Sequence, residues 1–253
     1  MNGKRTWKKK IIGLLYIIFI ISIILIMKNL VIDSIENKKI KDSAKIIENN
    51  KNNERCTKIS ELKKEWPDII GWLEIGGTNI NYPVCETNDN EYYLTHTYNK
   101  EENKSGALFL DTNNESDARE RNLIIYGHRN KYGLMFEDLI RYQDAEFWKN
   151  HATIRFTTEM NDEQYMIFAV VKTKVYYQNE KYVFKYYNFA KINNEDEYYE
   201  YIDEMKKLSL YKTNVEPEEE EPLLTLSTCE YSQKNGRFVV VAKKITSNSE
   251  SEE

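Results

Sequence analysis

The sequence predicts a mainly β fold of the α+β class, in which many short strands with helical insertions form a barrel-like body. Apolar and polar residues alternate in short segments. In the segment that ends at Cys229, for example, Leu224 and Leu226 alternate with Thr225 and Ser227. The 253 residues include nineteen tyrosines but only nine glycines and four prolines, a composition that favours a packed β-rich body over disorder.

The predicted elements alternate between short strands and short helices along the chain. Ile59, Leu62 and Trp66 recur at near-helical spacing, and Pro67 ends that helix. The next elements are strands at 71–75, 78–84, 106–111, 123–126, 152–158, 164–175, 222–229 and 237–242, a turn or short helix at 88–93, and one or two short helices at 135–148.

The clearest helix is predicted at 194–208, just before the strand that ends at Cys229. Asn194 and Glu197 have the spacing of a capping box, in which each side chain accepts from a free N–H group of the first turn. Tyr198, Ile202 and Met205 form one apolar face, so this helix is expected to pack against the body.

The N-terminus has the pattern of a membrane anchor. Residues 11–27 contain no charge, and five lysines and arginines lie within the first ten residues. We therefore predict a cytoplasmic basic tail at 1–10, a single transmembrane anchor at 11–32, and a body outside the cell membrane. The rival interpretation is a cleaved signal peptide, but the run exceeds the usual apolar length of about 7–15 residues and no small-x-small site follows it.

The rest of the chain predicts one exported domain between two polar segments. Residues 33–57 form a polar stem, residues 58–246 one globular domain, and residues 247–253 a disordered acidic tail. The acidic segment 216–222 is interpreted as a solvated loop rather than a cation site, because adjacent like charges repel. The net charge of −5 gives no indication of nucleic-acid binding.

Three residues form a candidate catalytic set. Cys229 ends one predicted strand and Arg237 opens the next, so a hairpin would bring a thiol and a guanidinium together. A thiol becomes an acyl-transfer catalyst when a base and an anion-stabilising group lie beside it. His128, directly after the strand at 123–126, is the candidate base. Taken singly, Cys229 also fits a buried small hydrophobe, His128 a core or loop histidine, and Arg237 a cross-hairpin partner of Glu230.

Cys56 and Cys85 are the other two cysteines, and an odd count leaves at least one thiol unpaired within the monomer. A Cys56–Cys85 disulfide, three free thiols and an intermolecular bond all remain open at this stage. The three histidines are scattered and no C-x-x-C occurs, so neither a metal site nor a cofactor is predicted.

Taken together, the ordered motifs resemble those of class B sortases over about residues 60–245. The resemblance rests on Thr225-Leu-Ser-Thr-Cys229 followed by Arg237, on the upstream Gly127-His128 pair, and on the N-terminal anchor. The segments 81–84, 89–94 and 106–111, and the helix inserted before the cysteine strand, are similar to class B in particular.

The resemblance implies an eight-stranded β-barrel and a membrane-anchored cysteine transpeptidase of Gram-positive bacteria. Cys229 would attack a C-terminal sorting signal (NPxTN-, NPxTG- or SPxTG-like) of a surface protein after its Thr. His128 would move the protons, and Arg237 would stabilise the oxyanion. An amine of the peptidoglycan precursor would then accept the acyl group. Ser227, Thr228 and Tyr126 are candidates for supporting or substrate-binding roles, against simpler roles as strand hydroxyls and a packed core ring.

Two functional alternatives stay open at this stage. The acceptor amine could be a pilin lysine, which would make the protein a pilin-polymerising sortase. The domain could also be a catalytically silent, membrane-tethered binding domain, although all three chemical groups are present. A papain-like hydrolase is disfavoured, because that family places its cysteine before its histidine in the chain.

Overall fold

The computed structural model describes most of the predicted domain and little of the chain before it. The described residues are 15, 18–24, 27–28, 52–114, 121–130, 133–177, 179–218 and 221–245. The chain divides into two compact units, residues 1–49 and 50–253. The described residues of the first unit are helical with exposed side chains. The remainder of the predicted tail, anchor and stem up to residue 51, and the tail at 247–253, lie outside the described residues.

Among these described residues, no helix is both long enough and apolar enough to cross a bilayer.

The second unit is built around a closed barrel of eight strands, as predicted for a mainly β fold. The strands follow one another around the barrel in the order β1-β2-β3-β4-β9-β10-β8-β7, and β5 and β6 form a separate two-stranded hairpin. The strands are β1 (Ile69–Ile75), β2 (Asn81–Cys85), β3 (Leu108–Leu110), β4 (Asn122–Tyr126), β5 (Arg129–Asn130), β6 (Leu134–Met135), β7 (Thr153–Thr158), β8 (Asp162–Lys174), β9 (Leu223–Glu230) and β10 (Gly236–Lys244).

Two of the barrel pairings are parallel, β2 with β3 and β4 with β9, and the others are antiparallel. In the β4–β9 pair, Tyr126 lies opposite Ser227. Parallel neighbours end at the same edge of a sheet. The chain segments that follow Tyr126 and Ser227 therefore emerge side by side.

Along the chain, the helices lie before the first barrel strand or between later ones, and only some of them were predicted. They are α1 (Asn52–Glu65), α2 (Ala145–Asn150) and α3 (Glu195–Leu208), with 3-10 helices at Tyr92–Leu94, Glu137–Gln143 and Tyr186–Phe189. Helix α1 begins within the segment predicted as a polar stem and ends two residues before Pro67. The β5–β6 hairpin and the 3-10 helix at Tyr186–Phe189 were not predicted, because strands and helices this short leave no periodic pattern.

The N-terminal cap of α3 differs from the predicted capping box. Asn194 caps the helix as predicted, since its Oδ1 accepts from the Glu197 N–H at 2.9 Å. The Glu197 carboxylate, however, accepts from the backbone N–H and the side-chain amide of Asn193, at 2.8 and 3.0 Å. The return bond thus reaches one residue further back than a capping box requires, to the residue that precedes the cap.

Helix α3 packs its apolar face onto the barrel and bonds to the cysteine strand. Tyr198, Tyr201, Ile202 and Met205 belong to a buried cluster that also contains residues of β8, β9 and β10. The Tyr201 hydroxyl lies 2.7 Å from Thr225 Oγ1, which donates in turn to Asn122 Oδ1 at 2.8 Å. The inserted helix is therefore tied to both β9 and β4, the two neighbouring parallel strands.

Candidate active site

Cys229 and Arg237 face each other directly across the β9–β10 pair, as the predicted hairpin requires. Directly opposite residues of an antiparallel pair project from the same face, with Cβ atoms about 4.5–5.5 Å apart. Both side chains are partly buried. Arg237 Nη1 donates to its neighbour's carbonyl, the Gly236 oxygen, at 2.9 Å.

The alternative pairing of Arg237 with Glu230 is not formed. The Glu230 carboxylate accepts instead from the backbone N–H and the hydroxyl of Ser232, in the turn that follows β9. Within the described residues, no carboxylate lies within ion-pair distance of the Arg237 guanidinium. Its charge is therefore available to a group in the cleft.

His128 follows β4 after a single glycine. A Cβ at Gly127 would lie 2.4 Å from Leu108 Cδ2 and 2.7 Å from Phe136 Cδ2, so a larger residue would force these two buried side chains to shift. His128 Nε2 lies 2.8 Å from the Leu94 carbonyl oxygen. Because a carbonyl oxygen only accepts, Nε2 carries hydrogen, and Nδ1 is the nitrogen left to exchange a proton.

The Leu94 carbonyl is held in place by a close approach of two backbone segments. Gly106 has φ +63°, and a Cβ there would lie 2.3 Å from the Tyr93 oxygen and 2.9 Å from the Leu94 oxygen. The next residue, Ala107, donates its N–H to the Tyr93 oxygen at 2.9 Å. Only glycine permits both this φ and this contact. The orientation of His128 thus depends on Gly106.

Thr228 joins the segment of the cysteine to the segment of the histidine. Its side chain points away from that of Cys229, and its Oγ1 donates to the Gly127 carbonyl at 2.8 Å, with both residues buried. The Gly127 N–H in turn donates to the Ser227 oxygen at 3.2 Å. Residues 127 and 228, which precede the histidine and the cysteine, are therefore bonded to each other.

All three predicted catalytic side chains line one cleft of about 430 Å³. Tyr126, Ser227 and Thr228, predicted as supporting or substrate-binding residues, line the same cleft. The Ser227 hydroxyl lies 2.7 Å from the Tyr186 hydroxyl, and Tyr126 donates to the Asp111 carboxylate at 2.8 Å.

The phenols of Tyr126 and Tyr186 stay protonated at physiological pH. Burial raises the pKa of Tyr186 to about 12. The pKa of Tyr126 is also raised, chiefly by burial and further by Tyr186 and the neighbouring Asp111. Both side chains therefore act as neutral hydrogen-bonding groups.

The other two cysteines are not placed to compete with Cys229. All three are free thiols, so the Cys56–Cys85 disulfide is not formed. Burial raises the pKa of the fully buried Cys85, and burial together with Asp162 raises the pKa of Cys56. Since the thiolate is the nucleophile, both are expected to react slowly.

The cleft groups that sequence reasoning missed include Asn90, Asp111, Tyr186 and the Leu94 carbonyl. Asn90 and Asp111 line the cleft beside Tyr126. Both belong to the segments 89–94 and 106–111, whose resemblance to class B was noted, but their residue types carry no chemistry that singles them out. A backbone carbonyl leaves no sequence signal at all.

Comparison with known proteins agrees with this geometry. The profile of the sortase domain family matches residues 73–245 of the chain. Sortase B of Listeria monocytogenes is 33% identical over 218 residues, which cover 83% of this chain and 85% of that protein. The chain belongs to the sortase family, class B. Its enzyme class is therefore that of the cysteine transpeptidases.

Solved sortase B structures have the same fold. A Staphylococcus aureus sortase B–substrate complex aligns with a TM-score of 0.69 at 28% identity, covering 85% of this chain and 95% of that one. A sortase B complexed with Gly3 aligns with a TM-score of 0.74, also at 28% identity, and covers 85% of this chain and 98% of that one.

Replacing Thr228 by Val is expected to weaken both the fold and the activity of this sortase. The change leaves the buried Gly127 carbonyl without its donor, which costs about 1–3 kcal/mol of unfolding free energy. A shift of His128 relative to Cys229 would lower kcat/KM by about ten- to a hundredfold. Urea unfolding and peptide-cleavage kinetics measure the two effects. Thr228→Ser keeps the hydroxyl and is the matched control; equal values for Thr228→Val and Thr228→Ser would contradict the linking role.

Proposed function

We propose that this class B sortase cleaves a C-terminal sorting signal after its Thr, through a thioester on Cys229, and transfers the acyl group to an amine of the cell-wall precursor. The observation that carries the proposal is the Cys229–Arg237 cross-strand pair, with His128 in the same cleft. Nucleophile, proton carrier and fixed cation are the three groups that acyl transfer requires.

In the first step, the Cys229 thiolate attacks the Thr carbonyl carbon and a C–S bond forms. The carbonyl electron pair moves onto oxygen, and the Arg237 guanidinium stabilises this oxyanion as a permanently charged donor. Nδ1 of His128 carries the proton that the Cys229 thiol lost when the thiolate formed. When the oxyanion returns its electron pair to the carbonyl and the C–N bond breaks, His128 gives this proton to the leaving amine. The Leu94 carbonyl keeps Nε2 protonated throughout, so only one ring nitrogen exchanges protons.

In the second step, an incoming amine attacks the thioester carbonyl. His128 Nδ1 takes the proton that the amine loses, a C–N bond forms, and the C–S bond breaks to restore the Cys229 thiolate. The same residue thus acts as general acid and then as general base. The partners of the related structures, a substrate in one and Gly3 in another, support a sorting-signal donor and an amine acceptor for this chain.

A peptide panel tests the proposed reaction. The purified chain is mixed with quenched peptides carrying NPxTN-, NPxTG-, SPxTG- and LPxTG-type signals, with and without triglycine. A thioester adduct on Cys229 and a transfer product, both seen by mass spectrometry and both lost in Cys229→Ala, are expected with one of the first three types. A folded protein whose Cys229 alkylates readily but forms no adduct would contradict the proposal and favour a silent binding domain. Transfer to a pilin lysine peptide but not to triglycine would favour pilin polymerisation.

Arg237→Lys is expected to lose most of the transpeptidase activity. An ammonium keeps the charge but lacks the planar donor fork, and loss of an oxyanion donor lowers kcat by about 10²–10³-fold. Steady-state cleavage kinetics measure the loss. Arg155→Lys, at an ion pair with Asp162 on the β7–β8 hairpin, is the control and should keep near-wild-type kcat. A near-wild-type rate for Arg237→Lys would remove Arg237 from the mechanism.

The membrane arrangement is likewise a proposal, supported by the uncharged segment 11–27 and the basic residues before it. Residues 11–32 anchor the chain in the cell membrane, residues 1–10 lie in the cytoplasm, and the catalytic domain at 58–246 lies outside. Protease added to intact protoplasts should degrade the catalytic domain and leave a membrane-bound N-terminal fragment. A catalytic domain that is protected until lysis would contradict this topology.

A further inference from the structure

Asp111 is a buried carboxylate beside the cleft for which the proposed mechanism has no use. It follows β3 directly and is only 3% exposed. Burying a carboxylate is costly unless its oxygens accept hydrogen bonds or pair with a cation. Among the described residues, no Lys or Arg forms an ion pair with Asp111. Neutral donors must therefore offset the cost.

Four such donors converge on the Asp111 carboxylate from three separate chain segments. Oδ1 accepts from the backbone N–H and the side-chain amide of Asn113, both at 2.8 Å. Oδ2 accepts from the Tyr126 hydroxyl at 2.8 Å and from Asn90 Nδ2 at 3.4 Å. The segment before the first 3-10 helix, the turn after β3, and β4 thus meet at one side chain.

The Asn90 amide is held at both ends by the turn that contains Asp111. Its Nδ2 donates to Asp111, and its Oδ1 accepts from the Thr112 N–H at 3.0 Å. This pair of bonds distinguishes the two ends of the amide and fixes its orientation. Asn90 and Tyr126 both line the cleft that contains Cys229.

We propose that Asp111 is a positioning residue, which holds the Asn90 amide and the Tyr126 phenol in the orientation that the bound sorting signal meets. The inference rests on the proposed function, since it takes a sorting-signal peptide as the ligand of the cleft. A peptide presents N–H and C=O groups along its backbone, and an amide of fixed orientation pairs with only one of them at a given register. Asp111 acts through peptide binding, because no bond joins it to Cys229, His128 or Arg237.

Asp111→Asn is the direct test. An amide keeps the shape of the side chain but turns one acceptor oxygen into a donor, so at least one of the converging donors loses its partner. The loss of one oriented hydrogen bond to the peptide raises KM by about tenfold, with kcat changed less. The rate at which a small alkylating reagent labels Cys229 should stay at the wild-type value. A fall in kcat at unchanged KM would overturn the inference.

Asp162→Asn is the matched control for the loss of a buried carboxylate. Its side chain is 1% exposed and accepts from Arg155 Nη1 and Thr157 Oγ1, each at 2.8 Å. It starts β8, whereas Val175, which lines the cleft, follows the far end of that strand. At about 3.3 Å per residue, the length of strand between them is on the order of 40 Å. Asp162→Asn should lower stability and leave KM unchanged. An equal rise of KM in both variants would make the Asp111 effect merely structural.

A second measurement needs no substrate. The side-chain amide resonances of Asn90, assigned by their loss in Asn90→Ala, are expected to shift and exchange faster in Asp111→Asn but not in Asp162→Asn. Unchanged Asn90 resonances in Asp111→Asn would overturn the inference. If these resonances respond while the wild type forms no adduct with any peptide, the proposed function fails and the positioning of Asn90 stands.

Asn90→Ala covers the case in which Asp111→Asn does not fold. It removes the amide that Asp111 is inferred to hold, at a partly exposed position. The same rise in KM is expected, again with unchanged alkylation of Cys229. A wild-type KM for Asn90→Ala would contradict the inference.

Discussion

The parallel pairing of β4 with β9 is the constraint on which the site depends. It joins two segments about a hundred residues apart in the chain, and both strands end at the same edge of the barrel. Because side chains alternate along a strand, Tyr126 and Ser227 face the same side, and His128 and Cys229 follow two residues later on that side. The Thr228 hydroxyl bond to the Gly127 carbonyl then fixes the spacing where the regular ladder ends.

The antiparallel pairing of β9 with β10 places the Arg237 guanidinium beside Cys229. Strand β10 lies on the opposite edge of β9 from β4. Cys229 and Arg237 are thus carried by adjacent strands of one closed barrel, and His128 follows the neighbouring strand β4 after a single glycine. The 3-10 helix at Tyr186–Phe189 and helix α3 bond to this strand set through the Tyr186–Ser227 and Tyr201–Thr225 pairs, which lie on the face of β9 that also bears Cys229. Packing of the inserted helix and the position of the nucleophile are therefore coupled through β9 itself.

Much of this arrangement was readable in the sequence because it follows from period-two alternation. The alternation at 222–229 predicts a strand. A turn and a second strand after it place Arg237 opposite Cys229, and the motifs resemble those of class B sortases. The strongly periodic helix α3 was predicted within a residue, whereas α1 begins seven residues before the first residue of its predicted apolar spacing. The pairing of β9 with β4 was not predictable, because a parallel pairing between strands far apart in the chain leaves no local pattern.

The groups that orient the catalytic residues were the hardest to predict. The Leu94 carbonyl, the close approach at Gly106 and the four donors around Asp111 depend on backbone positions that only the folded chain brings together. Even the capping box at Asn194 was only half right, because the Glu197 carboxylate had a second donor within reach at Asn193. The catalytic side chains can thus be predicted from the sequence more readily than the groups that orient them.

The proposed proton transfers depend most directly on the tautomer of His128. Nitrogen chemical shifts of the His128 ring, measured with ¹⁵N-labelled histidine at a pH where the ring is neutral and assigned with His128→Ala, report which nitrogen carries the proton. The bond to the Leu94 carbonyl predicts hydrogen on Nε2 and a free Nδ1, and Gly106→Ala should reduce that preference. A neutral ring protonated on Nδ1 would contradict the account, because the nitrogen assigned to exchange protons with substrate would then be blocked.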